Sequence, residues 1–222
     1  MIRVALLGAE STGKTQLVQA LAVALRAQGQ TVHVVPEYLR QWCDEHARTP
    51  QVHEQITIAQ HQAQAVLQFT SGIVLADTTP LLTAVYSHFI FQDTSLYAMA
   101  LAHQQLYDMN LLTGLDLPWV ADGLQRDGPK AREPVDTLLR QALQQASLPH
   151  KVVYGSGDER VQNALLALGW ASDRESADAS GGVLRVRQDS QYGLNRGRTA
   201  WVCENCSDAD CEHTLFSRLM SG

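Results

Sequence analysis

Near its N-terminus the chain carries a glycine-rich segment whose residue types and spacing suit phosphate binding. Residues 8–15 read Gly-Ala-Glu-Ser-Thr-Gly-Lys-Thr and match G-x-x-x-x-G-K-[ST] at every fixed position. In this pattern the glycines let backbone N–H groups face an anion, the lysine reaches the β- and γ-phosphates, and the last hydroxyl ligates Mg²⁺. The alternative is a glycine turn before an ordinary helix. We expect ATP to be bound by Gly8, Glu10, Ser11, Thr12, Gly13, Lys14 and Thr15, with Lys14 catalytic and Thr15 a magnesium ligand.

Two carboxylates follow apolar runs that are typical of strands. Asp77 ends one run, and Glu37 follows another after Pro36. Open α/β sheets bind ligands at the carboxyl ends of their strands. We therefore expect Asp77 to be a catalytic magnesium ligand and Glu37 to be a catalytic general base near the γ-phosphate. Alternatively, Asp77 caps the helix that Pro80 begins, and Glu37 only starts the next helix.

Cations near these sites are further candidates. Arg40 lies one turn after Glu37, where it could orient Glu37, bind the acceptor or remain a solvated helix charge. Residues 121–134 have the glycines, prolines and charges of a loop, including Arg126, Lys130 and Arg132. Such a loop can fold over ATP, neutralise charge on the transferring phosphoryl group and exclude water. We expect a catalytic Arg126 and an ATP-binding Arg132, with a plain solvated loop as the alternative.

Alternating apolar runs and helical patterns predict the elements that position these residues. Strands are predicted at 2–7, 31–35, 73–76, 107–113 and 151–154, and helices at 13–28, about 50–70, 135–147 and 158–168, with an interrupted helical region at 80–106. This alternation indicates an α/β fold with a mostly parallel sheet covered on both faces. A polar stretch after Trp170 predicts a core domain over 1–170, an extension over 171–198 and a Cys-rich tail over 199–222.

Composition narrows the function classes. The 222 residues include 17 Lys and Arg against 23 Asp and Glu, for a net charge of −6, and 45% are hydrophobic. This balance predicts a folded globule and disfavours nucleic acid as a partner. No apolar run approaches the ~18 residues that cross a bilayer, and no signal-peptide pattern opens the chain, so we expect a cytoplasmic protein without a membrane partner.

The tail contains a compact set of soft ligands. Cys203, Cys206, Cys211 and His213 lie within eleven residues, and Zn²⁺ prefers four such ligands in a tetrahedron. We expect a structural Zn²⁺ in this segment. Reduced thiols are the main alternative, and a disulfide is a further one.

Together these motifs resemble the nicotinamide-riboside kinase domains of the NadR type and the related P-loop ATPases described as AAA. The resemblance spans about residues 2–168 and rests on four segments: the loop 8–15, Val35-Pro-Glu-Tyr with Arg40, Asp-Thr-Thr-Pro-Leu-Leu-Thr at 77–83, and Pro-Trp-Val-Ala-Asp-Gly-Leu at 118–124. Two positions depart from the family pattern. Gln125 precedes Arg126 and displaces the lid arginine by one residue, and Thr79 replaces a second acid.

The resemblance implies a P-loop kinase fold with sheet order 2-3-1-4-5, ATP with Mg²⁺, and phosphorylation of a nucleoside-like small molecule. Nicotinamide riboside would become its mononucleotide, a reaction of NAD biosynthesis. Carried onto this chain, the family pattern implies phosphate and metal roles for Lys14 and Thr15, a role for Asp77 at the metal or at the acceptor hydroxyl, and an acceptor role for Glu37. It also implies substrate contacts for Tyr38, Arg40 and Asp122, with Asp122 at the base of the lid. The alternative is a regulatory ATPase module that signals through the Cys-rich tail.

Overall fold

A parallel sheet lies at the centre of the protein. The computed structural model describes residues 1–120 and 129–170. Its strands are β1 (Ile2–Leu7), β2 (Val32–Val35), β3 (Ile73–Asp77), β4 (Met109–Thr113) and β5 (Lys151–Val153). All neighbouring strands pair in parallel, in the order β2-β3-β1-β4-β5. The predicted α/β fold and strand order are therefore confirmed.

Helices cover both faces of this sheet. They are α1 (Lys14–Ala27), α2 (Tyr38–His46), α3 (Gln55–Leu67), α4 (Pro80–Phe91), α5 (Tyr97–Gln104), α6 (Arg132–Gln145) and α7 (Gly157–Leu168). Side chains alternate between the faces of a strand, so Val4 and Leu6 pack with α1 and α7, whereas Ala5 and Leu7 pack with α3, α4, α5 and α6. Among the described residues, no helix is both long and apolar enough to span a membrane.

The structure corrects the sequence predictions between β2 and β3. A helix after Glu37 was named in the sequence analysis only as an alternative and without bounds, and in the structure it is α2. The helix expected to start at Pro50 begins only at Gln55, after a 3₁₀ turn over Val52–Glu54. A capping box between Gln51 and Glu54 sets this start. The connection between α2 and the 3₁₀ turn contributes residues to the cavity that is described below.

A second correction concerns Arg132, which was expected to bind ATP from within the loop 121–134. It is the first residue of α6 and is 8% exposed, because α6 places it on the same buried face as Val135 and Asp136. Its Nη2 donates a hydrogen bond to the Leu115 carbonyl at 3.2 Å. The predictions for Asp122 and Arg126, and for the zinc ligands Cys203, Cys206, Cys211 and His213, concern residues outside the described ranges and stay predictions.

One buried arginine ties α7 to the carboxyl edge of the sheet. The Arg160 side chain is 4% exposed, and its Nη1 donates to the Asp116 carboxylate at 3.1 and 3.3 Å and to the Gly155 carbonyl at 2.7 Å. Its Nη2 donates to the Thr12 carbonyl at 3.0 Å. Asp116 also accepts a hydrogen bond from the Gly155 N–H at 2.7 Å. A single guanidinium therefore joins the loops that follow β1, β4 and β5.

Arg160→Met should lower the free energy of unfolding by about 2–4 kcal/mol, because it leaves the buried Thr12 carbonyl without its donor and removes the charged partner of Asp116. Urea denaturation measures this change, and Glu133→Gln, at an exposed charge of α6, is a control expected to stay within about 0.5 kcal/mol of the parent protein. An unchanged midpoint for Arg160→Met would show that this network does not stabilise the fold.

Candidate active site

The loop between β1 and α1 has the backbone shape of an anion cradle. Gly8 (φ 145°) and Gly13 (φ 74°) both lie in the positive-φ region that favours glycine. A Cβ at Gly8 would collide with the Thr113 hydroxyl, so the chain needs glycine there. Helix α1 starts at Lys14, and no side chain caps its first turn. The N–H groups at this end are therefore available to a phosphate, as the sequence predicted.

Side chains of the cradle hold its shape. The Thr12 hydroxyl donates to the Ala9 carbonyl at 2.8 Å and lies 2.7 Å from the Thr113 hydroxyl. The Ser11 hydroxyl pairs with Val120, accepting from its N–H at 2.8 Å and donating to its carbonyl at 3.2 Å. Ser11 and Thr12 thus bind neighbouring protein groups with their side chains, and their backbone N–H groups are the part suited to contacts with ATP.

Glu10 is buried at 3% exposure and connects the cradle to two other elements. Its carboxylate accepts a hydrogen bond from Trp119 Nε1 at 3.1 Å, and its backbone N–H donates to the Tyr86 hydroxyl at 3.1 Å. Trp119 follows β4, and Tyr86 belongs to α4. The cradle is therefore fastened on both sides, and Glu10 also faces the cavity described below.

Thr15 and Asp77, the residues predicted to bind Mg²⁺, both carry side-chain oxygens. Thr15 is exposed in the first turn of α1, and Asp77 ends β3 at 3% exposure. Asp77 Oδ1 has no hydrogen-bond partner within the described residues. Thr79, not Asp77, caps α4, because its hydroxyl accepts from the Leu81 N–H at 3.3 Å. The capping alternative for Asp77 is thus wrong, and a buried carboxylate oxygen is left to bind a hard cation.

A cavity of about 730 Å³ lies beside the cradle. Its charged lining residues include Lys14, Glu37, Glu10 and Arg40. The remaining lining is largely apolar and includes Leu39, Pro50, Val52, Leu82, Tyr86, Ile90 and Phe91. Lys14 Nζ donates to the Ala9 carbonyl at 2.8 Å. The volume and the mixed lining are typical of small-molecule sites.

Glu37 reaches this cavity because the chain around it is held on both sides. The residue directly precedes α2, but its side chain does not cap that helix. Buried Gln62 of α3 accepts from the Tyr38 N–H at 2.8 Å and donates to the Pro36 carbonyl at 3.2 Å. Sequence reasoning missed Gln62. The available signal was its spacing from Ile58 and Val66, which places a polar side chain on the apolar face of the helix.

Arg40 and Tyr38, which were also predicted to lie near Glu37, occupy different places in the structure. Arg40 lines the cavity, and its Nε lies 3.9 Å from the Glu37 carboxylate. The Tyr38 ring stacks on His61 at a centroid distance of 4.7 Å and does not belong to the cavity lining. The structure therefore brings Arg40, but not Tyr38, to the cavity.

The outer wall of the cavity is the connection between α2 and α3. Arg48 donates to both carboxylate oxygens of Glu54 at 2.7 and 2.6 Å, and its guanidinium lies 4.8 Å from the centre of the Trp42 ring. The Arg48 hydrogen bonds, followed by that from the Gln51 N–H, lower the pKa of Glu54 to about 2. Since this pKa is depressed, the pair is intact above the usual carboxyl range and weakens only as the pH falls towards 2.

Cys43 is the one thiol within the described residues, and it also lines the cavity. Burial, followed by the charge of Asp44, raises the pKa of Cys43 to about 11. The thiol is therefore protonated at neutral pH and is a poor nucleophile. Its contribution to the cavity is apolar surface.

Known proteins share the fold described above. A crystal structure of NadR protein in complex with NR has a TM-score of 0.61 and 20% sequence identity, and the match covers 77% of this chain and 51% of that chain. This chain thus spans about half the length of that protein. No curated protein sequence matches the chain.

The family model described as AAA domain matches residues 3–160, which is well over half of the chain. The matched range begins in β1 and ends in α7, so it contains the cradle, Glu37 and Asp77. In fold, the chain resembles that NadR protein. On the extent of this match, the chain belongs to the AAA domain family.

Proposed function

We propose that the protein is an ATP-dependent kinase that phosphorylates a hydroxyl of a nucleoside-like small molecule, with nicotinamide riboside as the first candidate. The observation that carries this proposal is the cavity shared by Lys14 and Glu37. A simple ATPase needs only water beside the γ-phosphate, whereas this cavity has room for a small organic molecule. Its apolar lining residues suit a planar base, and its charged and polar lining residues suit a sugar.

The proposed reaction follows from the positions of the side chains. The acceptor oxygen attacks the γ-phosphorus and forms a new P–O bond while its proton passes to the Glu37 carboxylate. The bond from the γ-phosphorus to the bridging oxygen breaks, and ADP leaves with the electron pair. Lys14 stabilises the negative charge on the transferring group. Mg²⁺ supplies charge neutralisation at the β- and γ-phosphates when it is bound, and Thr15 and Asp77 are the residues that would hold it.

Other groups have supporting roles in this proposal. Arg40 lines the cavity close to Glu37, where it can orient Glu37 or bind the acceptor. Asp122 and Arg126 are proposed lid residues from the family pattern alone. Arg132, anchored to the Leu115 carbonyl, is proposed to contact ATP from the start of α6. A structural Zn²⁺ on the four tail ligands also remains a proposal.

The direct experiment incubates the full chain with ATP, Mg²⁺ and nicotinamide riboside and detects the mononucleotide by mass. Lys14→Ala is expected to lower this turnover by about 10² or more, because it removes the charge that follows the transferring phosphoryl group. Circular dichroism and the unfolding midpoint serve as the control for folding. Near-normal turnover by folded Lys14→Ala would contradict the proposal. ATP hydrolysis without any phosphorylated acceptor would instead favour the ATPase module.

Glu37→Gln tests the general base. The amide has nearly the shape of the carboxylate but cannot accept the proton, so kcat should fall by about 10² or more while the affinity for ATP stays within about twofold. Glu45→Gln, at an exposed acid on the same helix, is the matched control and should leave kcat unchanged. If Glu37→Gln weakens ATP binding and leaves kcat intact, the role of Glu37 is structural.

A further inference from the structure

The residue after Asp77 has an unusual backbone and an unusual side chain. Thr78 has φ 78°, although it is β-branched, and it is 4% exposed. Its N–H donates to the Leu6 carbonyl at 3.0 Å, which extends the β1–β3 ladder and fixes the backbone at this point. Its Oγ1 is buried and has no hydrogen-bond partner within the ranges that the structure describes. Both the strain and the unpaired hydroxyl are costly in a folded protein.

The neighbouring threonine shows that these costs are specific to one position. The Thr79 hydroxyl donates to Gln104 Oε1 at 2.6 Å and accepts from the Leu81 N–H at 3.3 Å. Gln104 is itself fixed by a 2.7 Å hydrogen bond to Asn110. The two adjacent threonines thus differ in their hydrogen bonding, since the Thr79 hydroxyl has both a donor and an acceptor partner and the Thr78 hydroxyl has neither within the described residues.

Thr78 lines a small niche that borders the cavity. The niche has a volume of about 10 Å³, close to what one water-sized group needs. Polar side chains from four elements surround it, namely Glu37, Gln62, Thr83 and Tyr86 in addition to Thr78. Four residues line both the niche and the large cavity: Glu37, Leu39, Leu82 and Tyr86. A molecule in the cavity can therefore present one oxygen to the niche.

We propose that Thr78 is an acceptor-binding residue whose hydroxyl binds a second hydroxyl of the acceptor, next to the one that is phosphorylated. This inference rests on the proposed function and narrows it. Glu37 borders both spaces, so an acceptor that places one oxygen at Glu37 for transfer places a neighbouring oxygen at Thr78. The acceptor is then a polyhydroxylated molecule such as a riboside, and the unpaired hydroxyl of Thr78 gains its partner on binding.

The test compares Thr78→Val, Thr78→Ser and Thr79→Val. Calorimetry measures nicotinamide riboside binding to each full chain without ATP, and urea denaturation measures stability. Thr78→Val removes a hydroxyl that has no hydrogen-bond partner within residues 1–120 and 129–170, so its unfolding midpoint should not fall, while riboside affinity should drop about tenfold. Thr78→Ser keeps the hydroxyl and should bind within about twofold of the parent. Thr79→Val breaks the Gln104 network and should lower the midpoint instead.

Deoxy analogues identify the hydroxyl concerned. Of the 2′-deoxy and 3′-deoxy ribosides, the one that lacks the Thr78 partner should bind the parent and Thr78→Val equally, whereas the other should retain the tenfold difference. Unchanged riboside binding by Thr78→Val, or by Thr78→Ala if the valine variant does not fold, overturns the assignment. So does a parent chain that binds no riboside.

These results separate the two proposals. Riboside that binds through Thr78 but is never phosphorylated would refute the kinase and leave the binding role of Thr78 in place. Phosphorylation of another nucleoside, with no difference between Thr78→Val and the parent in KM, would keep the kinase and refute the role of Thr78.

Discussion

The attachment of the phosphate cradle to the rest of the fold is the constraint on which the candidate site depends. A glycine-rich loop gains nothing from its N–H groups unless they are held in one arrangement before the anion arrives. Here Thr113 approaches so closely that only glycine fits at position 8, and Arg160 holds the Thr12 carbonyl from the far side of the loop. The Trp119 contact to Glu10 adds a third attachment. The loop is therefore preorganised by side chains at the end of β4, after β4 and in α7.

The part of the site around Glu37 is held in place in a different way. Glu37 lies in a turn between β2 and α2, and a turn has no ladder of hydrogen bonds to hold it. Gln62 supplies both missing partners, one on each side of Glu37. The connection between α2 and α3 also lines the cavity, and the hydrogen bonds between Arg48 and Glu54 hold it together. The cavity beside Glu37 thus depends on side-chain hydrogen bonds, whereas the cradle depends in addition on the positive-φ backbone of Gly8 and Gly13.

This difference explains how much of the site could be predicted from the sequence. The cradle is a local motif, and its position between a strand and a helix identifies it directly. Asp77 and Glu37 were found because strands that end at one sheet edge bring their following residues together. Arg160 was missed because its partners are distant in the sequence, and Thr78 was missed because no sequence pattern reveals a buried hydroxyl that lacks a partner. Gln62 was missed although its spacing from Ile58 and Val66 places a polar side chain on an apolar helix face. Arg132 was mistaken for a loop cation because a charged residue at a helix start resembles a solvated one until its burial is known.

Two consecutive residues at the end of β3, Asp77 and Thr78, each have a buried side-chain oxygen with no hydrogen-bond partner in the part of the chain that the structure describes. Elsewhere at this edge, the polar side chains of Thr12, Asp116 and Gln62 are hydrogen-bonded within the protein. A folded chain retains unpaired buried oxygens at a cost of about 1–3 kcal/mol each, and Thr79 demonstrates that a threonine here can be fully satisfied. Under the proposed function, ligands and not the protein complete the hydrogen bonding and coordination of these two oxygens. Transfer of a phosphoryl group needs a metal on the donor side and a fixed hydroxyl on the acceptor side, and β3 ends with one oxygen suited to each.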